Sequence, residues 1–386
     1  MLTNPIRIFS TTISEGLRFL DKDRKVRLNR CAANGNTSMS EIVEVRTGRK
    51  RRRMQRVTML DVAARAQVSP STVSLFLRKP EAVSPAASRI IEQAIADLGY
   101  VPNLVAGGLA AAASRAVSII VPSVRNAFFA ETVASMQLEL GKARLQVMLG
   151  HSEYSEREEE NLVGTALSWA PSAIVLTGQS HSANTRKLLA SAHVPVVEIW
   201  ELGGQSIDMT IGFSHDKVGR MAGQFLLSRG RKRLAFLGAR MQEDQRANNR
   251  AQGFAQAAIE SGADWVHIVG NPGRAGVELG GLLLAQALEE FPGIDGIACS
   301  NDHIALGVIF ECQRRGISIP DELAVVGFGD LDFSASCIPS LTTIRPPGDL
   351  IGTEAARVIV KHVQGDHSDS GCIIDTGFRL VERQSA

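Results

Sequence analysis

From Thr58 onward, apolar and polar residues alternate with a helical period. Leu60, Val62, Ala63 and Ala66 predict a short first helix, capped by Thr58 and ending at Gln67 and Val68. Ser69-Pro70 then places a hydroxyl at an N-cap and a proline at the first helical position, where its missing N–H costs nothing. Val73, Phe76 and Leu77 face inward along the second helix. Ser84-Pro85 repeats the device for a third helix through Ile90, Ile91, Ala94, Ile95 and Leu98, stopped by Gly99. Three helices, the first two joined by a turn of a few residues, describe a helix-turn-helix module.

Past Tyr100-Val-Pro-Asn103 the period changes. Short β-branched or apolar runs at 118–122, 145–149, 173–177, 194–199, 234–238, 296–299 and 323–327 alternate with amphipathic stretches of helix length. Strands alternating with helices predict parallel sheet, and this length of it predicts two doubly wound subdomains. The expected fold class is an all-α helix-turn-helix head followed by an α/β part. In such sheets ligands bind beyond the carboxyl ends of the strands, which directs attention to the residues after each run.

Composition changes this picture only locally. The 42 basic and 40 acidic residues nearly cancel, so net charge identifies no partner. Yet Arg46, Arg49, Lys50, Arg51, Arg52, Arg53 and Arg56 form a run without an acid, which attracts polyanions. Residues 1 to about 54 have little periodicity and predict a disordered leader; Met39 and Met54, just before the patterned region, suggest an upstream start. Cys31, Cys299, Cys312, Cys337 and Cys372 show no metal-ligand spacing, which argues for a reducing compartment and no structural zinc; no metal or cofactor is expected. The stretch 101–122 has the length of a membrane span but contains Asn103, Ser114 and Arg115 in an Ala- and Gly-rich context. No membrane segment or export signal is read, and a cytoplasmic location is expected.

The segment TMLDVAARAQVSPSTVSLFLRKPEAVSPAASRIIEQAIADLGYVPN, Thr58 to Asn103, resembles the DNA-binding head of the lactose repressor (LacI) family. VPSVRNAFFAE, CSNDHIALG, IPDELAVVGFGDLD, PSLTTIRP and LVERQSA follow in family order. Within the family, LSWAPSAIVLTGQSHS, VPVVEIWE and FLGARMQ are most similar to repressors of gluconate utilisation. The resemblance implies a head at 57–102, a hinge helix or linker at 103–115, and a periplasmic-binding-protein-like effector and dimerisation domain at 116–386. The leader then occupies 1–56, and the two subdomains cross over near 213 and 341–346. It also implies a homodimer on a pseudo-palindromic operator in double-stranded DNA.

In a helix-turn-helix the second helix enters the major groove. Pro70, Ser71, Thr72 and Leu75 would then face base edges, with Ser69 and Ser74 near phosphates and Thr58 at the adjoining helix start. Leu75 stands where many members carry arginine, and offers only apolar contact, for instance to a thymine methyl. In the hinge, the resemblance places a minor-groove wedge at Leu109, with Ala106 beside it and Asn103 at the start. Gly107 and Gly108 depart from the family pattern and should each cost roughly 1 kcal/mol in a helix.

For the effector, the resemblance points to Phe128, Phe129, Thr177, His181, Trp200, Phe213, Arg250, Asn301 and Gly329. Arg250 would offer a guanidinium to a carboxylate, and Asn301 would both donate and accept. Gly329 replaces the aspartate that many sugar-binding members keep, while His181 adds a cation; both changes favour an anionic ligand, in agreement with the gluconate likeness. Glu198, an acid on a strand near this cleft, is expected to pair with a basic neighbour or the subunit interface. No Walker pattern, nucleophile elbow, dinucleotide fingerprint or metal-spaced histidine pair argues for an enzyme. The reading is a DNA-binding repressor released by a sugar acid such as gluconate. A sugar-binding protein, or a corepressor-dependent regulator with a neutral sugar or other ligand, is the alternative.

Overall fold

The computed structural model describes residues 57–101, 114–125 and 127–386. Asn103, Ala106 and Leu109 of the expected hinge, together with Cys31 and the basic run, lie outside them.

Helices α1 (Met59–Ala66), α2 (Pro70–Arg78) and α3 (Pro85–Leu98) build the head. Each begins with a hydroxyl accepting from a backbone N–H three residues on: Thr58 from Asp61, Ser69 from Thr72 and Ser84 from Ala87. At α1 the cap is reciprocal, because Asp61 accepts in turn from the Thr58 amide at 2.8 Å. Gln67 and Gly99 close α1 and α3 in the left-handed region. The core is Val62, Ala63, Ala66, Val73, Phe76, Ile91 and Ala94, with Val68 and Leu77 packed at its edge. Leu60 and Ile90, expected inside, are 63% and 52% exposed. The buried stripes run 59-62-63-66 and 91-94-95-98, and one position off such a stripe turns a side chain about 100° toward solvent.

The remainder forms two six-stranded sheets. In the first lobe, β1 (Ala116–Val121), β2 (Gln146–His151), β3 (Ala173–Thr177), β4 (Val196–Ile199), β5 (Met209–Gly212) and β11 (Ile373–Asp375) lie in the order β11-β5-β4-β3-β1-β2. In the second, β6 (Arg233–Ala239), β7 (Trp265–Asn271), β8 (Gly296–Cys299), β9 (Ala324–Phe328), β10 (Thr342–Arg345) and β12 (Arg379–Val381) lie in the order β12-β10-β9-β8-β6-β7. Among the described residues only the β10–β12 pair is antiparallel. Central strands such as β3, β4 and β5 are buried along their whole length, as parallel strands covered on both faces must be.

Helices α4 (Ala127–Lys142), α5 (Glu156–Ser168), α6 (Ala183–Ala192) and α11 (Gly348–Val363) cover the first sheet, and α7 (His215–Ser228), α8 (Gln245–Glu260), α9 (Val277–Glu290) and α10 (Asp302–Arg315) the second. The chain passes between lobes after β5, after β10 and, by a third passage, between β11 and β12. That last passage joins strands of three residues each, too short to stand out in the sequence. None of the helices among the described residues is long and apolar enough to cross a membrane.

Candidate functional site

On the head, Ser69, Pro70 and Ser71 are exposed at the start of α2, while Thr72, Ser74 and Leu75 are half-buried. The Ser69 hydroxyl lies 2.7 Å from those of both Ser71 and Thr72, so the three hydroxyls satisfy one another in the absence of DNA. Thr58 is exposed, but its hydroxyl donates to Asp61 at 2.7 Å and is committed to the capping box.

Loops at the carboxyl ends of strands in both lobes line a narrow cleft that is partly open to solvent. Ser123, Arg125, Phe128, Glu153 and Tyr154 come from the first lobe; Ala239, Arg240, Asp244, Arg250, Arg274, Ala275, Ser300 and Asn301 come from the second. Among the residues singled out from the sequence, Phe128, Arg250 and Asn301 are on this wall.

Arg250 is held at the floor by close helix packing. A Cβ on Gly219 of α7 would overlap the Arg250 carbonyl, and one on Gly253 of α8 would overlap the Asp216 carbonyl, so the two backbones touch only because both residues are glycine. The Arg250 guanidinium sits 4.1 Å above the Phe328 ring, donates from Nη1 to His215 Nδ1 at 2.8 Å and from Nη2 to the Ser300 carbonyl at 2.9 Å. Its Nε has no partner. Burial pulls its pKa down to about 10, so it stays charged at neutral pH. No carboxylate among the described residues lies within ion-pair distance of it. Burial, then the charges of Arg250 and Arg246, hold His215 neutral; its Nε2 donates to the Trp200 carbonyl at 2.8 Å, which leaves Nδ1 as the acceptor for Arg250.

The other expected contacts are placed differently. Phe129, Trp200 and Phe213 are buried in an aromatic cluster behind Phe128, with ring centroids 5.2 Å apart for Phe129–Trp200 and 5.8 Å for Trp200–Phe213. Trp200 Nε1 donates to Thr132 at 3.1 Å, which leaves the indole no free polar atom for a ligand. Thr177 is buried and donates to the Ile120 carbonyl at 3.2 Å. Asn301 caps α10 by accepting from the Ile304 amide at 3.1 Å, so its amide NH2 is the part left for a ligand. Gly329 has φ 132°, a conformation that strains any other residue, and is not on the cleft wall.

His181 is the largest departure. It is buried, with Nδ1 2.6 Å from Glu159 and Nε2 3.3 Å from Glu198 and 3.1 Å from the Gly178 carbonyl. Burial alone would lower its pKa; hydrogen bonding and charge from Glu159 and Glu198 outweigh that and raise it to about 9. Two carboxylates therefore absorb its charge, and it adds none to the cleft. The basic neighbour expected for Glu198 is this histidine. Because the folded pKa is raised above the ordinary 6.5, the stabilisation is complete below about pH 6.5 and disappears as pH rises through 9. At about 1.4 kcal/mol per unit, up to roughly 3 kcal/mol should be lost across that window. Urea midpoints measured from pH 6.5 to 9.5 should fall for the wild type and lose this component in His181→Gln; parallel curves would refute the assignment.

The cations missed in the sequence are Arg125 after β1, Arg240 after β6 and Arg274 after β7. Clasps join the lobes around the cleft. Arg240 Nη1 donates to the Glu153 carbonyl at 3.3 Å, Arg274 pairs with the Glu153 carboxylate at 3.3 Å, Arg246 donates to the Thr177 carbonyl at 3.1 Å, and Asn249 donates to Glu201 at 3.1 Å.

Comparison with known proteins agrees with this architecture. Residues 58–103 match the bacterial regulatory proteins of the lacI family, and 224–386 match a periplasmic binding protein-like domain. The chain is 36% identical to the HTH-type transcriptional regulator GntR of Pseudomonas aeruginosa, over 86% of this chain and 96% of that protein. It is 33% identical to the regulator of the same name from Escherichia coli, over 84% of this chain and 97% of that one. A LacI family transcriptional regulator from Silicibacter pomeroyi superposes with a TM-score of 0.80 at 31% identity, covering 85% of this chain and 99% of that one. The lac repressor dimer bound to operator and the anti-inducer ONPF shares the fold, with a TM-score of 0.74 at 23% identity over 85% of this chain and 98% of that one.

Proposed function

The chain belongs to the lacI family of DNA-binding transcriptional regulators, which are not enzymes, and on that premise we propose that it is a cytoplasmic repressor released from its operator by a sugar acid such as gluconate. The observation that carries the effector assignment is Arg250, a buried, charged guanidinium with an unpartnered Nε and no carboxylate beside it, on the floor of a cleft whose other charges are mainly arginine. Asp244 and Glu201 act on this charge only from beyond ion-pair distance, so its burial stays costly, and a bound carboxylate in direct contact lowers that cost. Phe128 on the wall offers an apolar face to a carbon chain, and the Asn301 amide a donor to hydroxyls. The motif likeness to gluconate-utilisation repressors supports the same class.

Members of this family bind operator DNA and small effectors as dimers, and a pseudo-palindromic operator follows from two heads related by a two-fold axis. At the DNA, the hydroxyls at the start of α2 meet phosphates and base edges, and Leu75 supplies an apolar contact. A ligand that draws the clasped lobes together favours one arrangement of the protein, and its affinity difference between arrangements is the coupling to DNA.

Gluconate at a hundredfold excess over its Kd should stabilise the full chain by about 2.7 kcal/mol, a melting shift of several degrees, and should release operator in a gel-shift titration. Glucose should do neither. Stabilisation by neutral sugars alone would defeat the sugar-acid reading, and tighter operator binding with gluconate would make the ligand a corepressor.

A further inference from the structure

Four arginines and two carboxylates line the cleft. Only one of the arginines is at the floor: Arg250 is 5% exposed. Arg125 and Arg274 are exposed and Arg240 half-buried, each on a different loop, so they form a separate cationic group at the mouth. The acids cancel it only in part. Asp244 accepts from the Ala247 amide and pairs with Arg246 at 3.3 Å, so its charge is already shared. The Glu153 carboxylate is 3.3 Å from Arg274, and Arg240 reaches only the Glu153 backbone carbonyl. Arg125 makes no ion pair among the described residues. Glu153 answers Arg274, so a sugar monoacid bound to Arg250 would place a neutral hydroxyl end at this mouth and leave Arg125 and Arg240 without a carboxylate partner among the described residues.

We infer that the effector carries a second acidic group at the end remote from its carboxylate, with the carboxylate on Arg250 and the second anion between Arg125, Arg240 and Arg274. This rests on the sugar-acid reading and narrows it to molecules with two anionic groups: a phosphate ester of a sugar acid, or a sugar diacid. Bidentate guanidinium contacts suit either group, and three cations converging from separate loops would also draw the two lobes together, since Arg125 belongs to one and Arg240 and Arg274 to the other.

Titration calorimetry on the full chain at about 150 mM salt, with gluconate, 6-phosphogluconate and glucarate as probes, tests this. At least one of the two doubly acidic probes, 6-phosphogluconate or glucarate, should bind tenfold or more tightly than gluconate, and which one identifies the second group as phosphate or carboxylate. The advantage should narrow with added salt, and the affinity ratio of that probe to gluconate should fall toward one in the Arg125→Ala/Arg274→Ala double variant. If gluconate binds as tightly as both of them to the wild type, the second anion site is refuted while the sugar-acid reading stands. If none of the three acids binds, both fall. The wild-type ratio decides the matter even where the double variant fails to fold.

Discussion

Replacing Arg250 with methionine is expected to weaken sugar-acid binding at least a hundredfold, about 3 kcal/mol, while leaving operator affinity near that of the wild type. The magnitude follows from removing a charge-assisted contact to a ligand carboxylate in a desolvated site. The variant should be a repressor that no longer responds. Its stability is informative as well. In the free protein Arg250 is a buried charge whose Nε is unpartnered and which has no carboxylate beside it, so an apolar chain of similar length forfeits little. Two acceptors, His215 Nδ1 and the Ser300 carbonyl, lose their donor, which offsets part of that gain. The melting temperature should therefore stay within a few degrees of the wild type. Calorimetry and gel shift with and without gluconate check both halves; a variant that still binds the acid with unchanged affinity would remove Arg250 from the site.

The second large effect belongs to a residue that touches no ligand. Gly253→Ala forces a methyl against the Asp216 carbonyl, and α7 and α8 must separate to admit it. Such overpacking costs about 1–3 kcal/mol, which lowers the melting temperature by roughly 2–4 °C per kcal/mol for a domain of this size. Arg250 lies one helical turn away, so its displacement should also reduce effector affinity. Gly219→Ala probes the same contact from the other helix, where the new methyl meets the Arg250 carbonyl itself. Once the helices have parted for one methyl they have largely parted for the other, so the double variant should lose less than the sum of the two single losses. Strictly additive losses would show that the two glycines do not share one contact.

The head was legible because its signals are local: a capping hydroxyl, a proline and an apolar stripe all fall within one turn of the residue they position. The strands that went unread are those whose environment is not local. β7 is an edge strand with exposed Ile268 and Gly270, so it lacks the continuous apolar run of a covered strand, and β11 and β12 acquire their identity only from the sheets they join; β5 and β10 are interior but only four residues long, and Thr210, Thr342 and Thr343 break their apolar runs. The site followed the same division. Arg250 stands out by its distance from Gly253, and the helix packing explains that spacing. Arg125, Arg240 and Arg274 lie in loops without periodicity, and nothing in one dimension brings them to one mouth. His181 misled for the converse reason: its cation is visible in the sequence, but the two carboxylates that absorb it come from α5 and β4.

Each sheet depends on the far end of the chain. The first lobe takes α11 and β11 from residues beyond 347, and the second is edged by β12, with Ser385 bonded to the Val325 carbonyl at 2.6 Å and to the Thr342 amide at 2.8 Å. During synthesis the head has every residue of its core once Tyr100 has left the ribosome, whereas neither lobe can complete its sheet until β11 and β12 emerge. A nascent chain can therefore carry a finished DNA reader on an unfinished sensor, and the interval between the two is set by translation speed.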